Sequence, residues 1–357
     1  MTPKNETPSV FSSWKLLLPI TLGFGVVVWL LCKEFDADSY AKIVWRGETF
    51  FFLTIAVLLT AIRIWAYCWR MRTLTNEELS WKQVFQIVGL WEFGSAVTPS
   101  MVGGTTVGLF LLYRSGMKLG KAAAIIFATI LIDSLFFLAT LVLFWLWYGN
   151  YVLSSDFPPG STSGLLGDNP WMYAFVAAFW LMCSYTLLIG LGLFVVPNGV
   201  RRLLEDLSKV PFFRRKQAGI LQFSKDMTTA SKELKEVPPI FWIKGFTATA
   251  IAWSSRFLVV VFVIAAFVPV TQYMLLYGRQ LSLYLILFLT PTPGGSGVAD
   301  FAFKDFYFEF IGDGGLATLI GFIWRLLSYY PFLFLGLFLL PSLADRNKEE
   351  PSSEVVG

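Results

Sequence analysis

Thr98-Pro99-Ser100-Met101-Val102-Gly103-Gly104 interrupts one apolar region of the chain, and Thr290-Pro291-Thr292-Pro293-Gly294-Gly295-Ser296-Gly297 interrupts another. Proline removes a backbone donor and glycine weakens a helix, so each stretch breaks the helix that runs into it. The flanking arms are short. They lie between Gln83 and Tyr113 around the first break, and are Leu281 to Leu289 and Val298 to Phe310 around the second. A helix needs about 20 residues to cross the hydrocarbon core, so each pair of arms reads as a re-entrant hairpin rather than two spans.

Charges at matching distances tie the two breaks together. Arg63 lies 35 residues before Thr98, and Arg256 lies 34 before Thr290; Asp133 lies 35 after Thr98, and Arg325 lies 35 after Thr290. Each half therefore reads as a span, a span carrying Arg, a broken hairpin and a span carrying a charge, with pseudo-repeats at about 14–148 and 171–340. Six spans are expected, from about Trp14 to Leu31, Phe50 to Tyr67, Ala122 to Tyr148, Trp171 to Val196, Ile240 to Val268 and Leu316 to Leu340. The first reads as a retained helix, since no small-residue cleavage site follows its apolar run.

Orientation follows from Lys and Arg. The linker 197–239 carries nine of them, including Arg201, Arg202, Arg214 and Arg215, whereas the segment Gly149 to Pro170 carries none. The linker is thus expected to be cytoplasmic, as are Arg70, Arg72, Arg114 and both termini. The halves then have opposite orientation, with the first hairpin entering from inside and the second from outside. Leu203, Leu204, Leu207, Ile220, Leu221 and Phe223 among the linker charges read as amphipathic helices on an anionic lipid surface.

Composition agrees with this class. The 357 residues are 56% hydrophobic and 15% charged, with net charge +4 and a mean hydropathy of +0.64. The expected architecture is an all-α polytopic membrane protein, one transmembrane domain over residues 1–340 with a cytoplasmic tail at 341–357. A nucleic-acid partner is excluded by this balance. The chain has no histidine, which removes a Ser/His dyad, imidazole metal sites and a histidine proton relay. Cys32, Cys68 and Cys183 show no CxxC spacing and read as packing residues, so no metal site and no cofactor is expected.

The breaks and the buried charges are the candidate site. Half-helix N-termini present unpaired N–H groups and a positive dipole end, which attract anions. Gly103, Gly104, Gly294, Gly295 and Gly297 would let backbone approach a phosphate, with Thr98, Ser100, Thr105, Thr292 and Ser296 adding hydroxyls. Alternatively, Pro and Gly make the turns and let helices pack closely. A charge at membrane depth costs at least about 2.5 to 3.5 kcal/mol, so Arg256, Arg325 and Asp133, well inside apolar runs, call for a role, while Arg63 lies nearer a membrane face. The three arginines are expected to neutralise a lipid phosphate, with Asp133 and Glu92 balancing the empty site or receiving a cationic headgroup. Two alternatives stand beside this: an Asp133–Arg325 pair that joins the halves, and an Arg63 that snorkels to the interface. Asp300, with Lys304, Asp305, Glu309 and Asp313, lines an external mouth or belongs to a solvated hairpin end.

The run Phe93-Gly94-Ser95-Ala96-Val97-Thr98-Pro99-Ser100-Met101-Val102-Gly103-Gly104, followed by Leu-Leu-Tyr-Arg-Ser-Gly from Leu111 to Gly116, resembles the first signature of the lysylphosphatidylglycerol synthase transmembrane, or flippase-like, family. The run from Thr290 to Asp300 resembles its second, in which the family commonly has Glu at the place of Asp300. The similarity covers about Leu16 to Leu340. It implies movement of an anionic phospholipid or related lipid between leaflets of a bacterial inner membrane. It also implies an absence, because the full synthases carry a C-terminal aminoacyl-transferase domain and only residues 342–357 follow Pro341 here. A non-enzymatic lipid transporter is the expectation. Membrane lipids are its expected partners, with a second copy or a separately encoded lipid enzyme as further candidates. A membrane-embedded lipid-modifying transferase and a small-anion exporter are the rival readings. With opposed hairpins, single cysteines at Ser100 and Ser296 in a Cys-free background should be labelled from opposite faces; labelling of both from one face would overturn the inverted arrangement.

Overall fold

The computed structural model describes residues 45–98, 100–153, 170–210, 217–290, 292, 295 and 297–345. The expected first span at Trp14–Leu31 lies outside them, as do Gly294 and Ser296. The described residues are helical, with no strand among them. They run α1 (Gly47–Leu74), α2 (Trp81–Val97), α3 (Ser100–Arg114), α4 (Leu119–Tyr148), α5 (Pro170–Gly190), α6 (Pro197–Lys209), α7 (Gln217–Glu236), α8 (Pro239–Ala265), α9 (Tyr273–Leu287), α10 (Val298–Ile311), α11 (Gly314–Ser328) and α12 (Tyr330–Asp345). This is an all-α polytopic membrane protein. Among the described residues, five stretches are long and apolar enough to cross a membrane: α1, α4, α5, α8 and the α11–α12 run.

Both halves follow one order, a long helix and then two short helices that pack on each other. The leading helices are α1, of 28 residues, and α8, of 27, and they make the most extensive helix contact in the molecule. The short pairs are α2 with α3, of 17 and 15 residues, and α9 with α10, of 15 and 14. At about 1.5 Å per residue none reaches the roughly 30 Å of a hydrocarbon core. At the first break Thr98 is extended, with φ −102° and ψ 145°, the conformation forced on a residue that precedes proline. At the second, Gly295 and Gly297 have φ of +67° and +82°, which side chains with a Cβ adopt at a cost.

The span expected from Leu316 to Leu340 is two helices. Tyr329, with φ −120° and ψ −56°, separates α11 from α12. Pro331 has no N–H to give to the Leu327 carbonyl, and the Phe332 N–H bonds to the Tyr329 carbonyl instead, at 3.2 Å. The carbonyls of Leu327 and Ser328 are thereby freed, and α1 supplies their donors. Thr60 Oγ1 donates to Leu327 at 3.3 Å and Arg63 Nη1 to Ser328 at 3.2 Å. Beyond the break α12 crosses α2 closely: a Cβ on Gly336 would lie 2.1 Å from the Phe93 ring, and one on Gly89 would lie 2.5 Å from Leu339.

The basic linker is more than a surface layer. Leu203 and Leu207 on α6 are exposed, as a membrane-surface helix requires, but α7 buries Met227, Ala230 and Leu234 against α4. The approach is close at Gly120, where a Cβ would sit 2.3 Å from the Met227 backbone nitrogen. Backbone cannot rotate away as a side chain does, so Gly120→Ala should destabilise the detergent-solubilised protein by about 1–3 kcal/mol, read as a lowered thermal midpoint. Gly219→Ala, in α7 where a Cβ meets nothing, should leave the midpoint unchanged or raise it slightly.

Candidate functional site

Helix α1 presents Arg63, Tyr67 and Arg70 on one face, at spacings of four and three residues. Arg63 is only 1% exposed. It forms an ion pair with Glu92 of α2, bonds to the Ser328 carbonyl at the α11–α12 break, and stacks on Phe332 with 4.2 Å to the ring centroid. It therefore does not snorkel. The helix continues to Leu74, eleven residues beyond Arg63, so this side chain lies deep in its span rather than near a face.

Arg70, grouped with Arg72 by the charge count, is buried as well. Its partner is Asp133 of α4, and it bonds in addition to Thr249 Oγ1 of α8 at 3.3 Å. Asp133 Oδ1 also accepts the indole N–H of Trp253 at 2.7 Å. Asp133 and Arg325 are thus not paired with each other. Arg325 pairs instead with Asp300, at 2.9 Å from Nε to Oδ1, and donates to the Gly295 carbonyl at 3.3 Å.

Asp300 is therefore no solvated hairpin residue. Its second oxygen accepts the Gly297 backbone N–H at 3.1 Å, so the protein's own carboxylate occupies the positive end of α10. The other acids expected at a hairpin end have partners too, though Asp305 and Glu309 are exposed, as a solvated end requires. Asp305 accepts the Trp171 indole N–H at 3.2 Å, Glu309 pairs with the buried Arg279, and Asp313 caps α11 through the Leu316 N–H at 2.8 Å.

Arg256 of α8 is different. Its nearest carboxylate is Glu92, at 3.8 Å, and Glu92 is already committed to Arg63. Its guanidinium lies 4.6 Å from the Tyr284 ring centroid and 5.1 Å from that of Trp253. Those rings are fixed by a T-shaped contact with each other at 5.3 Å and by Phe137 and Phe257 behind them. Arg256 faces a cavity of about 200 Å³ that lies between the two hairpins. Glu92, Thr98 and Thr105 line it from the first half, and Thr292, Gly295 and Arg325 from the second, with Asp133 and Arg70 at its side. The Thr292 hydroxyl has no hydrogen-bond partner among the described residues.

The family described as lysylphosphatidylglycerol synthase TM region matches residues 16–336. The chain belongs to that family. It is similar to a UPF0104 membrane protein of Archaeoglobus fulgidus, 24% identical over 299 residues that cover 80% of this chain and 84% of the relative. No solved structure matches it.

In this lysylphosphatidylglycerol synthase TM chain the cavity gathers Glu92, Thr98, Thr105, Asp133, Arg256, Thr292, Gly295 and Arg325 from the expected set. Arg63 and Asp300 stand behind it as partners of lining residues. Gly103 and Gly104 do not face it. A Cβ on Gly103 would lie 1.9 Å from Thr98 Oγ1, and one on Gly104 would lie 1.8 Å from Ser95 Oγ, so both glycines serve close packing of the hairpin. Gly297 shapes the turn through its φ of +82° and gives its N–H to Asp300. Gly294, Ser296 and the side chain of Ser100 lie outside the described residues. Sequence reasoning missed Arg70, Tyr67 and Tyr284. The i, i+4, i+7 spacing of Arg63, Tyr67 and Arg70 was the available signal for two of them. Arg279, whose Nη1 donates to the Phe306 carbonyl at 2.8 Å, was overlooked altogether.

Removing one member of a buried pair leaves a charge without a partner, at a cost of about 3–5 kcal/mol. Asp133→Ala should therefore lower the thermal midpoint strongly. Arg70→Met combined with Asp133→Leu should recover most of the loss, and a double-mutant cycle on the thermal midpoints measures the coupling.

Proposed function

We propose that this protein moves an anionic phospholipid or related lipid between the leaflets of a cell membrane, taking the headgroup into the cavity between the hairpins. The observation that carries this reading is Arg256, a cation in the middle of a 27-residue span whose nearest carboxylate is held by another arginine. Such a charge at membrane depth asks for an anion. Broken hairpins on either side of the cavity support a transporter, because discontinuous helices at a repeat interface are the usual place for a transported group. The volume suits a headgroup better than acyl chains: about 200 Å³ is below the range of pockets that enclose a drug-sized ligand. The tails then stay in the bilayer while the headgroup passes.

In this reading the halves are inverted and the membrane is a bacterial inner membrane, with the basic linker on its cytoplasmic side. The protein's own residues carry the work. Arg256 receives the phosphate, the Thr292 hydroxyl offers a hydrogen bond, and the Trp253 and Tyr284 rings hold the guanidinium in place. Arg325, satisfied by Asp300, holds the second hairpin in shape rather than binding the ligand.

Reconstitution of the Arg256→Gln variant tests this. Its translocation of a fluorescent anionic phospholipid in proteoliposomes should fall by about tenfold or more with the thermal midpoint little changed. Unchanged flux would remove Arg256 from the transport path.

A further inference from the structure

The charges around the cavity specify the ligand further. Among the described residues, four guanidinium groups border it or stand directly behind it: Arg63, Arg70, Arg256 and Arg325. Three carboxylates answer them, and the pairing is one to one, Arg63 with Glu92, Arg70 with Asp133 and Arg325 with Asp300. Arg256 is the remainder and reaches only the already paired Glu92, at 3.8 Å. The empty cavity thus holds one net positive charge behind walls of Trp, Tyr and Phe.

From this balance we infer that the cavity takes a ligand with one net negative charge, a phosphodiester whose headgroup bears no cation. The inference rests on the headgroup reading above and adds a charge to it. A zwitterionic headgroup would bring an ammonium group into a site whose carboxylates are all held by arginines, and would leave the excess charge in place. A phosphomonoester brings close to two negative charges above its second pKa of about 6, one more than the site can neutralise. In a low-dielectric cavity each uncompensated charge is penalised, so the balanced ligand binds best. Glu92 sets the limit, because it is the carboxylate that Arg63 and Arg256 share. The same chemistry exists in a lipid and in a water-soluble diester.

Competition at pH 8, read by native mass spectrometry of the detergent-purified full chain, separates the cases. The probes are phosphatidylglycerol, phosphatidylethanolamine and phosphatidic acid of matched acyl chains, with deacylated glycerophosphoglycerol as the soluble diester. Phosphatidylglycerol should exceed each of the other two lipids by about tenfold or more. Glu92→Gln, which keeps an oxygen for Arg63, should shift the preference toward phosphatidic acid. Arg256→Gln should bring phosphatidylethanolamine level with phosphatidylglycerol, and decides alone should the Glu92 variant fail to fold. Equal binding of the three lipids by the unaltered protein, or a preference for phosphatidic acid or phosphatidylethanolamine, would overturn the charge rule and leave the lipid reading standing. Displacement of phosphatidylglycerol by the soluble diester would keep the charge rule and overturn the lipid reading. Binding of none of the probes would overturn both.

Discussion

A guanidinium group inside a bilayer must find a carboxylate, a carbonyl or an aromatic face, because no water is there to solvate it. That requirement organises this protein. Arg63 joins α1 to α2 and to the α11–α12 break, Arg70 joins α1 to α4 and α8, and Arg325 joins α11 to the turn that precedes α10. Each arginine thus fixes at least two elements around one cavity. Arg256 alone among them reaches a carboxylate only by sharing one, and the cavity opens at its guanidinium.

Backbone groups face the same constraint, and broken helices make it acute. The Pro331 break frees two carbonyls, which take their donors from Thr60 and Arg63. The α2 C-terminus places the Ala96 carbonyl within 3.1 Å of the Tyr329 hydroxyl, and the α10 N-terminus is met by Asp300. Side chains from other elements thus satisfy the Leu327, Ser328 and Ala96 carbonyls, and a residue of α10's own first turn meets its N-terminus. Glycine contacts in the first hairpin and aromatic contacts beneath Arg256 complete the cavity walls.

Much of this was legible from local pattern. The length of the apolar runs located the spans that the structure describes, and Pro and Gly located both hairpin breaks. Arg256 stood out because its neighbours in sequence are apolar. Pattern failed where a residue's meaning depends on a partner distant in sequence. Arg70 reads as one more basic residue beside Arg72 and Lys82, yet it is buried and paired with Asp133. Asp300 looked solvated because four further charges follow it, yet Arg325 and the Gly297 N–H hold it. Gly103 and Gly104 look the same in a phosphate cradle and in a packed hairpin, and only the positions of Thr98 and Ser95 separate the two.

By itself the sequence determined that this chain is an all-α membrane protein with two broken hairpins and a few charges at membrane depth. Hydropathy, helix breaking and the cost of burying charge are local properties, carried by each residue wherever it goes. The tertiary structure alone decided which charges cancel. Coulombic pairing acts through a few ångströms of space, and the partners here lie 29, 63 and 25 residues apart, on helices that only the fold brings together. A count of charges could propose an excess of arginine, but only the pairing shows that the excess is Arg256.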